Sequence, residues 1–201
     1  MERLLRWGLE NTPNDGADLP KVTEQMVSGQ RPDLNTEVLD AIMGKSDADR
    51  MRECMAVIDA PNAEKQDREL AWDDLEMLVE DIDNANNLLP LGLWPAITAH
   101  LDDDDDDLQM RCCWVCGTAV QNNPAGQHAF LDTEPLPRLL ALLTSQHNST
   151  ATRNKAMYCL ASTLKHSQRA VDAFGAHNGW QALRNALHGT LLLPPRLGSS
   201  S

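Results

Sequence analysis

Three cysteines stand within five residues, as Cys112-Cys113-x-x-Cys116, a residue type and spacing that a zinc ion could use. A structural zinc site needs four nitrogen or sulfur ligands that converge on one point. The sequence contains no second CxxC or HxxxH pair to complete such a site. The cysteines also fall in a segment predicted to be a buried helix, where cysteine packs as a small hydrophobic residue. We therefore expect core positions, with no metal and no cofactor.

A run of six aspartates, Asp102 to Asp107, is the next candidate for chemistry. Calcium-binding loops space their oxygen ligands along the chain and include a glycine that turns it, and the run has neither feature. It comes just before a predicted long helix, where carboxylates are favoured by the positive end of the helix dipole. The run is interpreted as a solvated loop.

No arrangement of residues points to catalysis. The six histidines are scattered through helix ends and connectors, and none pairs with a nucleophile and an aspartate in a strand-turn-helix setting. A GxxxxGK[ST] loop and a GxGxxG loop after a strand are both missing from the sequence. The sequence therefore predicts a protein that is not an enzyme.

The net charge of −13 comes without any cluster of lysine and arginine. Phosphate backbones and anionic membrane surfaces both require such clusters, so nucleic acid and membrane are excluded as partners. Apolar runs are far shorter than the roughly 20 residues of a membrane span. The N-terminus lacks the apolar stretch of a signal peptide, and an odd number of cysteines is a poor disulfide framework. We expect a cytoplasmic monomer.

The elements that must position any site are helical. Residues 1–33 are rich in Gly, Pro, Asp and Asn, and they are predicted to form a flexible segment with a short apolar start. Apolar residues then recur at helical spacing, which predicts two helices within 37–60. A long helix is predicted over 63–83, with Leu70, Ala71, Leu75, Leu78, Val79 and Ile82 buried.

A repeat follows. The motif at 94–97 recurs at 136–139, an offset of 42 residues (136 minus 94), and again at 180–183. The segment 111–119 matches 153–161 at the same offset of 42 (153 minus 111). Each unit reads as a short, a medium and a long helix. This period and order predict an all-α, right-handed α-solenoid of armadillo-like three-helix repeats over residues 34–187. Residues 188–201 are expected to form an irregular tail.

Certain segments make the chain resemble a known family. They are 1–7 (MERLLRW), 51–58 (MRECMAVI), 75–87 (LEMLVEDIDNANN), 117–124 (GTAVQNNP) and 155–160 (KAMYCL). With them the chain resembles the armadillo-type nucleotide exchange factors of cytosolic 70-kDa heat-shock chaperones over residues 1–187. The resemblance implies that the concave face of the repeats binds lobe II of the chaperone's ATPase domain, so that ADP is released.

The resemblance also assigns residues. The flexible segment would mimic a client and promote client release through Leu4, Leu5, Trp7 and Leu9. The third helix of each unit would line the groove, and the helix ends would contact the partner. Ala85 is expected to be exposed at such an end, so that Ala85→Arg would abolish exchange with little change in stability. The implied partner-binding residues are Glu76, Glu80, Asn84, Ala85, Asn86, Asn87, Thr118, Gln121, Asn122, Tyr158 and Lys165.

The sequence departs from the family after Leu187, where no long final helix matches. This departure bears on the exchange activity more than on the fold. An alternative therefore stays open: an armadillo-type scaffold that binds an extended peptide in its groove and does not drive exchange.

Overall fold

The computed structural model describes residues 44–191, and its helices belong to one compact unit that begins at Ser46. Every regular element in this range is helical. The elements are α1 (Asp47–Ile58), α2 (Lys65–Val79), α3 (Ile82–Asn87), α4 (Trp94–Ala99), a 3₁₀ turn (His100–Asp102), α5 (Asp106–Val120), α6 (Pro124–Leu131), α7 (Leu136–Thr144), α8 (Thr150–Leu164), α9 (Gln168–Ala176) and α10 (Gly179–Leu191).

The predicted three-helix repeats are confirmed, but the helices predicted as short (6, 8 and 9 residues) and as medium (12, 6 and 9 residues) do not differ consistently in length. The long helices α2, α5 and α8 have 15 residues each and pack side by side. The medium helices α1, α4 and α7 each pack against the long helix that follows them. The short helices α3, α6 and α9 connect one unit to the next. This arrangement is the one expected of armadillo-like repeats, which bury their apolar faces against their neighbours.

Side-chain caps fix where the long helices α5 and α8 begin. Asp105 accepts a hydrogen bond from the backbone N–H of Asp107 at the start of α5, and Ser149 accepts one from Thr152 at the start of α8. Such caps satisfy N–H groups that have no partner inside the helix. A residue three positions after the end of α5 and of α8 caps the next short helix. Asn123 accepts a hydrogen bond from the backbone N–H of Gly126, and Ser167 accepts one from that of Ala170.

The three cysteines predicted to be core residues, Cys112, Cys113 and Cys116, are confirmed as such, and Cys159 lies with them. Cys112, Cys113, Cys116 and Cys159 are all fully buried between α4, α5 and α8. Burial raises the pKa of each of these thiols, and it does so strongly for the last three. Within the described range, no group of three or more His, Cys, Asp or Glu residues is arranged to hold a metal ion.

The predicted offset of the long helices is wrong. The medium helices α4 and α7 start 42 residues apart, but α5 and α8 start 44 apart (150 minus 106). Three residues separate the 3₁₀ turn from α5, whereas five separate α7 from α8. This longer connection makes Lys155, and not Arg153, the equivalent of Arg111.

The predicted helix over 63–83 is interrupted. Asp81 accepts hydrogen bonds from the N–H groups of Asp83 and Asn84, at 2.8 and 3.2 Å, and so starts α3 as a separate helix. These local hydrogen bonds compete with the backbone hydrogen bonds that would continue α2. The prediction that Leu70 and Ile82 are buried is also wrong: 56% and 53% of their surfaces are exposed. Ile82 now begins α3, and Leu70 lies on the exposed side of the uninterrupted helix α2. The other four predicted core residues of this segment are buried.

The C-terminal helix α10 continues to Leu191, so the predicted boundary at Leu187 falls inside it. None of the helices in residues 44–191 combines the length and apolar character that crossing a bilayer requires. The segment 1–33 lies outside the described residues, and so do Leu4, Leu5, Trp7, Leu9 and residues 37–43.

Candidate partner-binding face

The long helices present one face away from the medium helices, and we call it the long-helix face. The helix ends give the equivalent positions: α2 and α5 are offset by 41 residues (106 minus 65), and α5 and α8 by 44. Three rows of equivalent residues cross the face. They are Leu70, Arg111 and Lys155; Asp73, Trp114 and Tyr158; and Glu80, Gln121 and Lys165.

Three predicted site residues are brought together by hydrogen bonds. Thr118 donates its hydroxyl to the carboxylate of Glu76 at 2.7 Å, and its oxygen lies 3.4 Å from the hydroxyl of Tyr158. Glu76 is only 9% exposed, and Thr118 and Tyr158 are half-buried. A polar chain therefore runs across α2, α5 and α8. These hydrogen bonds satisfy the buried carboxylate of Glu76 and fix the relative positions of the three helices.

Gly117 allows the close approach of α8 to α5. A Cβ atom at this position would lie 2.5 Å from Cε1 of Tyr158 and 3.2 Å from Cα of Cys159. The first distance is below any real carbon contact, so a side chain here would displace the tyrosine ring. The missing side chain thus lets the ring of Tyr158 lie against α5.

Arg111 joins α5 to α2 through ion pairs. Its guanidinium contacts the carboxylate of Asp73, and it lies 4.0 Å from that of Glu69 and 3.6 Å from that of Asp107. It also donates to the backbone carbonyl of Glu69. The charge of Arg111 is therefore compensated within the chain.

Lys155 occupies the equivalent position on α8, but it meets an aromatic ring. Its Nζ lies 3.4 Å from the ring centroid of Trp114 and 5.7 Å from that of Tyr158, which is cation–π geometry. Burial lowers the pKa of Lys155, and the charge of Glu76 partly opposes this. Sequence reasoning missed Arg111, Trp114 and Lys155 as site residues. An offset of 44 would have aligned the two cations and exposed the pattern.

The structure contradicts the predicted exposure at the centre of the segment 84–87. Ala85, expected to be exposed, is only 1% exposed, because α3 packs on α1, α2, α5 and α6. Asn84 donates to the carboxylate of Asp47 at 3.0 Å and to the carbonyl of Leu78 at 3.1 Å, so it joins α3 to α1 and α2. The Asn84 bond is the largest cause of a lowered pKa at Asp47.

The other two asparagines of this segment are more accessible. Asn86 is half-buried, and Asn87 is exposed. The side-chain oxygen of Asn86 is buried without a hydrogen-bond partner in the described part of the chain.

The burial of Ala85 changes what its substitution would test. An arginine at this position must either overpack the core or bury a charge, and both are strongly destabilising. The expectation that Ala85→Arg leaves stability nearly unchanged is therefore wrong. Loss of exchange in that variant would not separate a lost contact from a lost fold.

The remaining predicted residues lie in the turns that follow the long helices. Glu80, Gln121 and Lys165 are exposed and equivalent, and they carry a negative, a neutral and a positive side chain in order along the repeats. Asn122 is also exposed and has a left-handed backbone (φ 53°), a conformation that asparagine tolerates well. These residues form an accessible edge with a graded charge.

Two family profiles match the chain in succession. The profile described as "Nucleotide exchange factor Fes1" matches residues 1–88. The profile described as "SIL1/FES1/HPBP1 C-terminal domain" matches residues 84–191, which is more than half of the chain.

Curated relatives carry the description "Hsp70 nucleotide exchange factor FES1". The protein from Mycosarcoma maydis is 38% identical over 98% of this chain and 51% of its own length. The Schizosaccharomyces pombe protein is 40% identical over 75% of this chain and 53% of its own length. The chain thus spans about half the length of these two relatives. For the Coccidioides immitis protein, at 36% identity, the shares are 86% and 81%.

Solved structures support the fold. A designed armadillo repeat protein, in complex with a (KR)4 peptide, aligns with a TM-score of 0.60 at 14% identity over 66% of this chain and 54% of its own. An engineered protein aligns with a TM-score of 0.60 at 16% identity over 68% of this chain and 56% of its own. These likenesses show an armadillo-like fold, and the family profiles and relatives show that the chain belongs to the Fes1 family of nucleotide exchange factors.

Proposed function

We propose that the chain is a nucleotide exchange factor that binds the ATPase domain of a cytosolic 70-kDa heat-shock chaperone, at lobe II, and promotes ADP release. The observation that carries this proposal is the pair of family profiles, which together cover residues 1–191. Relatives across most of that range are described as Hsp70 exchange factors. The protein is proposed to act as a monomer in the cytosol.

The long-helix face is the proposed contact surface. Thr118 and Tyr158 lie half-buried at its centre, and the turns at Glu80, Gln121 and Lys165 form its exposed edge. A face held rigid by hydrogen bonds across three helices can favour one lobe orientation over another. Exchange then follows from differential affinity, because a binder shifts a conformational equilibrium only as far as it prefers one state.

The N-terminal segment, residues 1–33, is proposed to act separately in client release. Its apolar residues Leu4, Leu5, Trp7 and Leu9 resemble an extended chaperone client. Once the chaperone has opened, such a segment competes with the released client for the same site.

The test measures release of a fluorescent ADP analogue from a purified cytosolic 70-kDa chaperone. The full chain should accelerate release at least about tenfold, which corresponds to an activation free energy of release lowered by about 1.4 kcal/mol. The fragment 34–201 should accelerate ADP release equally but release a labelled client more slowly. Lys165→Glu on the face should weaken exchange. The matched control is Arg184→Glu, because Arg184 is also exposed but lies on α10, outside the long-helix face. It should leave exchange unchanged.

Three outcomes contradict the proposal. If the full chain binds an extended peptide but leaves ADP release unchanged, the alternative of a peptide-binding scaffold is correct. If the fragment no longer binds the ATPase domain, the N-terminal segment belongs to the binding site. If the two charge reversals act equally, the long-helix face is not the contact surface.

A further inference from the structure

The side chains of Arg111 and Lys155 extend in the same direction in two successive repeats but contact different groups. Each cation extends from its own long helix toward the preceding one. Arg111 reaches Asp73 on α2, and Lys155 reaches Trp114 on α5. Asp73 and Trp114 are themselves equivalent positions. An aromatic ring therefore stands in the second repeat where a carboxylate stands in the first.

The consequence is a difference in charge compensation. Three carboxylates surround Arg111, at Glu69, Asp73 and Asp107. Lys155 forms no ion pair within 4.0 Å in residues 44–191, and the acidic group that acts on it at longer range is Glu76. That carboxylate already accepts the hydroxyl of Thr118 at 2.7 Å.

An ammonium group in this position is well placed to bind an anion. It is partly removed from water, as the lowered pKa of Lys155 reflects. The indole occupies one side of it, and its N–H donors remain for a group that arrives from the open face. Charge pairing grows stronger as water is excluded from an interface. The indole at the same time offers a flat apolar surface for the carbon atoms of an incoming side chain.

We propose that the partner inserts an aspartate or glutamate over Trp114, where its carboxylate pairs with Nζ of Lys155 and repeats, between two proteins, the pair that Asp73 and Arg111 form within the chain. This inference rests on the proposed function, because the partner is taken to be the chaperone's ATPase domain. Lys155 then determines the register in which that domain meets the repeats.

The graded edge of the face supports this orientation. Lys165 follows the C-terminal end of α8, the helix that also carries Lys155, whereas Glu80 stands at the equivalent place on α2. A partner that places acidic groups over α8 and basic groups over α2 would pair with the charges of both Lys165 and Glu80. The reverse orientation would place like charges together at both ends.

The test is the affinity for the isolated, nucleotide-free ATPase domain, measured by titration calorimetry at low and moderate salt. Lys155→Met keeps the length of the side chain and its contact with the indole but removes the charge. It should weaken binding about tenfold. Lys155→Glu should weaken it further, and Lys155→Arg should stay within about threefold of the unchanged chain. Salt should weaken binding of the Met variant less than binding of the unchanged chain.

Controls separate this inference from the proposed function. Arg184→Met removes one positive charge from α10 and should leave affinity unchanged. Circular dichroism melts of all variants show whether Lys155→Met is folded, and rescue by arginine excludes a purely packing effect. If the unchanged chain fails to bind the domain, the proposed function fails. If it binds and Lys155→Met binds equally well, with the same salt dependence, the inference is overturned.

Discussion

The junction of α2 with α5 and the junction of α5 with α8 use different chemistry for the same architectural task. The first is joined by ion pairs of Arg111 and by a pair between Lys65 and Asp105 at 2.7 Å. The second contains buried thiols and the contact of Tyr158 over Gly117. Thr152 adds a buried hydrogen bond to the carbonyl of Asp106 at 3.0 Å.

This difference shows that equivalent surfaces of a repeat protein need not contribute equally to stability. Ion pairs between partly exposed side chains contribute little each and weaken with salt. Close packing of buried groups contributes more, and it is sensitive to added volume. We therefore expect α5 and α8 to separate last and α2 to separate first.

The largest expected effect comes from alkaline pH. Burial raises the pKa of the thiols of Cys113, Cys116 and Cys159 well above its ordinary value, so they stay protonated in the folded chain. In the unfolded chain they ionise near pH 8.5, so their contribution to stability is complete below that pH and is lost as pH rises. Each thiol then removes up to about 1.4 kcal/mol of unfolding free energy per pH unit.

Urea unfolding between pH 7 and 10, in the presence of a reductant, measures this slope. Cys159→Ala should reduce it by the share of one thiol, whereas a variant of an exposed residue should not. A flat profile up to pH 10 would mean that these thiols ionise in the folded chain, and that the α5–α8 junction is wetter than the structure shows.

The next largest effect is expected from bulk at Gly117. Gly117→Leu places a side chain where even Cβ would meet the ring of Tyr158 at 2.5 Å, and we expect a loss of about 3 kcal/mol. Ala161, the equivalent residue on α8, is exposed, so Ala161→Leu is the matched control and should change stability by less than about 0.5 kcal/mol. Thermal melts of both proteins give the comparison. Equal effects would show that the two positions are equally open.

The smallest effect is expected at the ion-paired junction. Asp73→Asn removes the carboxylate that contacts Arg111, but the side chain of Asp73 is 49% exposed. We expect a loss of at most about 1 kcal/mol, and less at high salt. Asp74→Asn, one residue along the same helix and also exposed, serves as the control. A loss above that of Gly117→Leu would reverse the proposed ranking of the two junctions.

Much of the fold could be predicted from the sequence because its signals are local. Apolar spacing, the breaks near Pro90, Asn123 and Pro135, and the recurring motif at 94–97 and 136–139 gave the order and sizes of the helices. The buried cysteines also followed from their place on a helix. The true offset of the long helices did not follow, since it depends on a connection before α8 that is two residues longer. Matching Arg111 to Arg153 by residue type hid that difference.

The site was less predictable for a related reason. Glu76, Thr118 and Tyr158 do meet, but Ala85 lies in the core, and that depends on how α3 packs against four other helices. The one local signal that could have separated α3 from α2 was the aspartate at position 81, a residue type that favours the start of a helix. The contact of Lys155 with Trp114 joins residues 41 positions apart (155 minus 114), and no local pattern reports such a contact.

Gln127 in α6 shows how the repeats depend on one another. This buried side chain donates to the carbonyls of Ser162 and Lys165, both at 2.9 Å, at the end of the long helix in the next unit. The last turn of α8 is therefore completed by a residue from the repeat before it. Losing α9 and α10 would leave that turn satisfied, whereas opening α6 would strip it of its partners. The two units are consequently interdependent: opening α6 leaves these two carbonyls without Gln127, and opening the end of α8 leaves the buried amide of Gln127 without its acceptors.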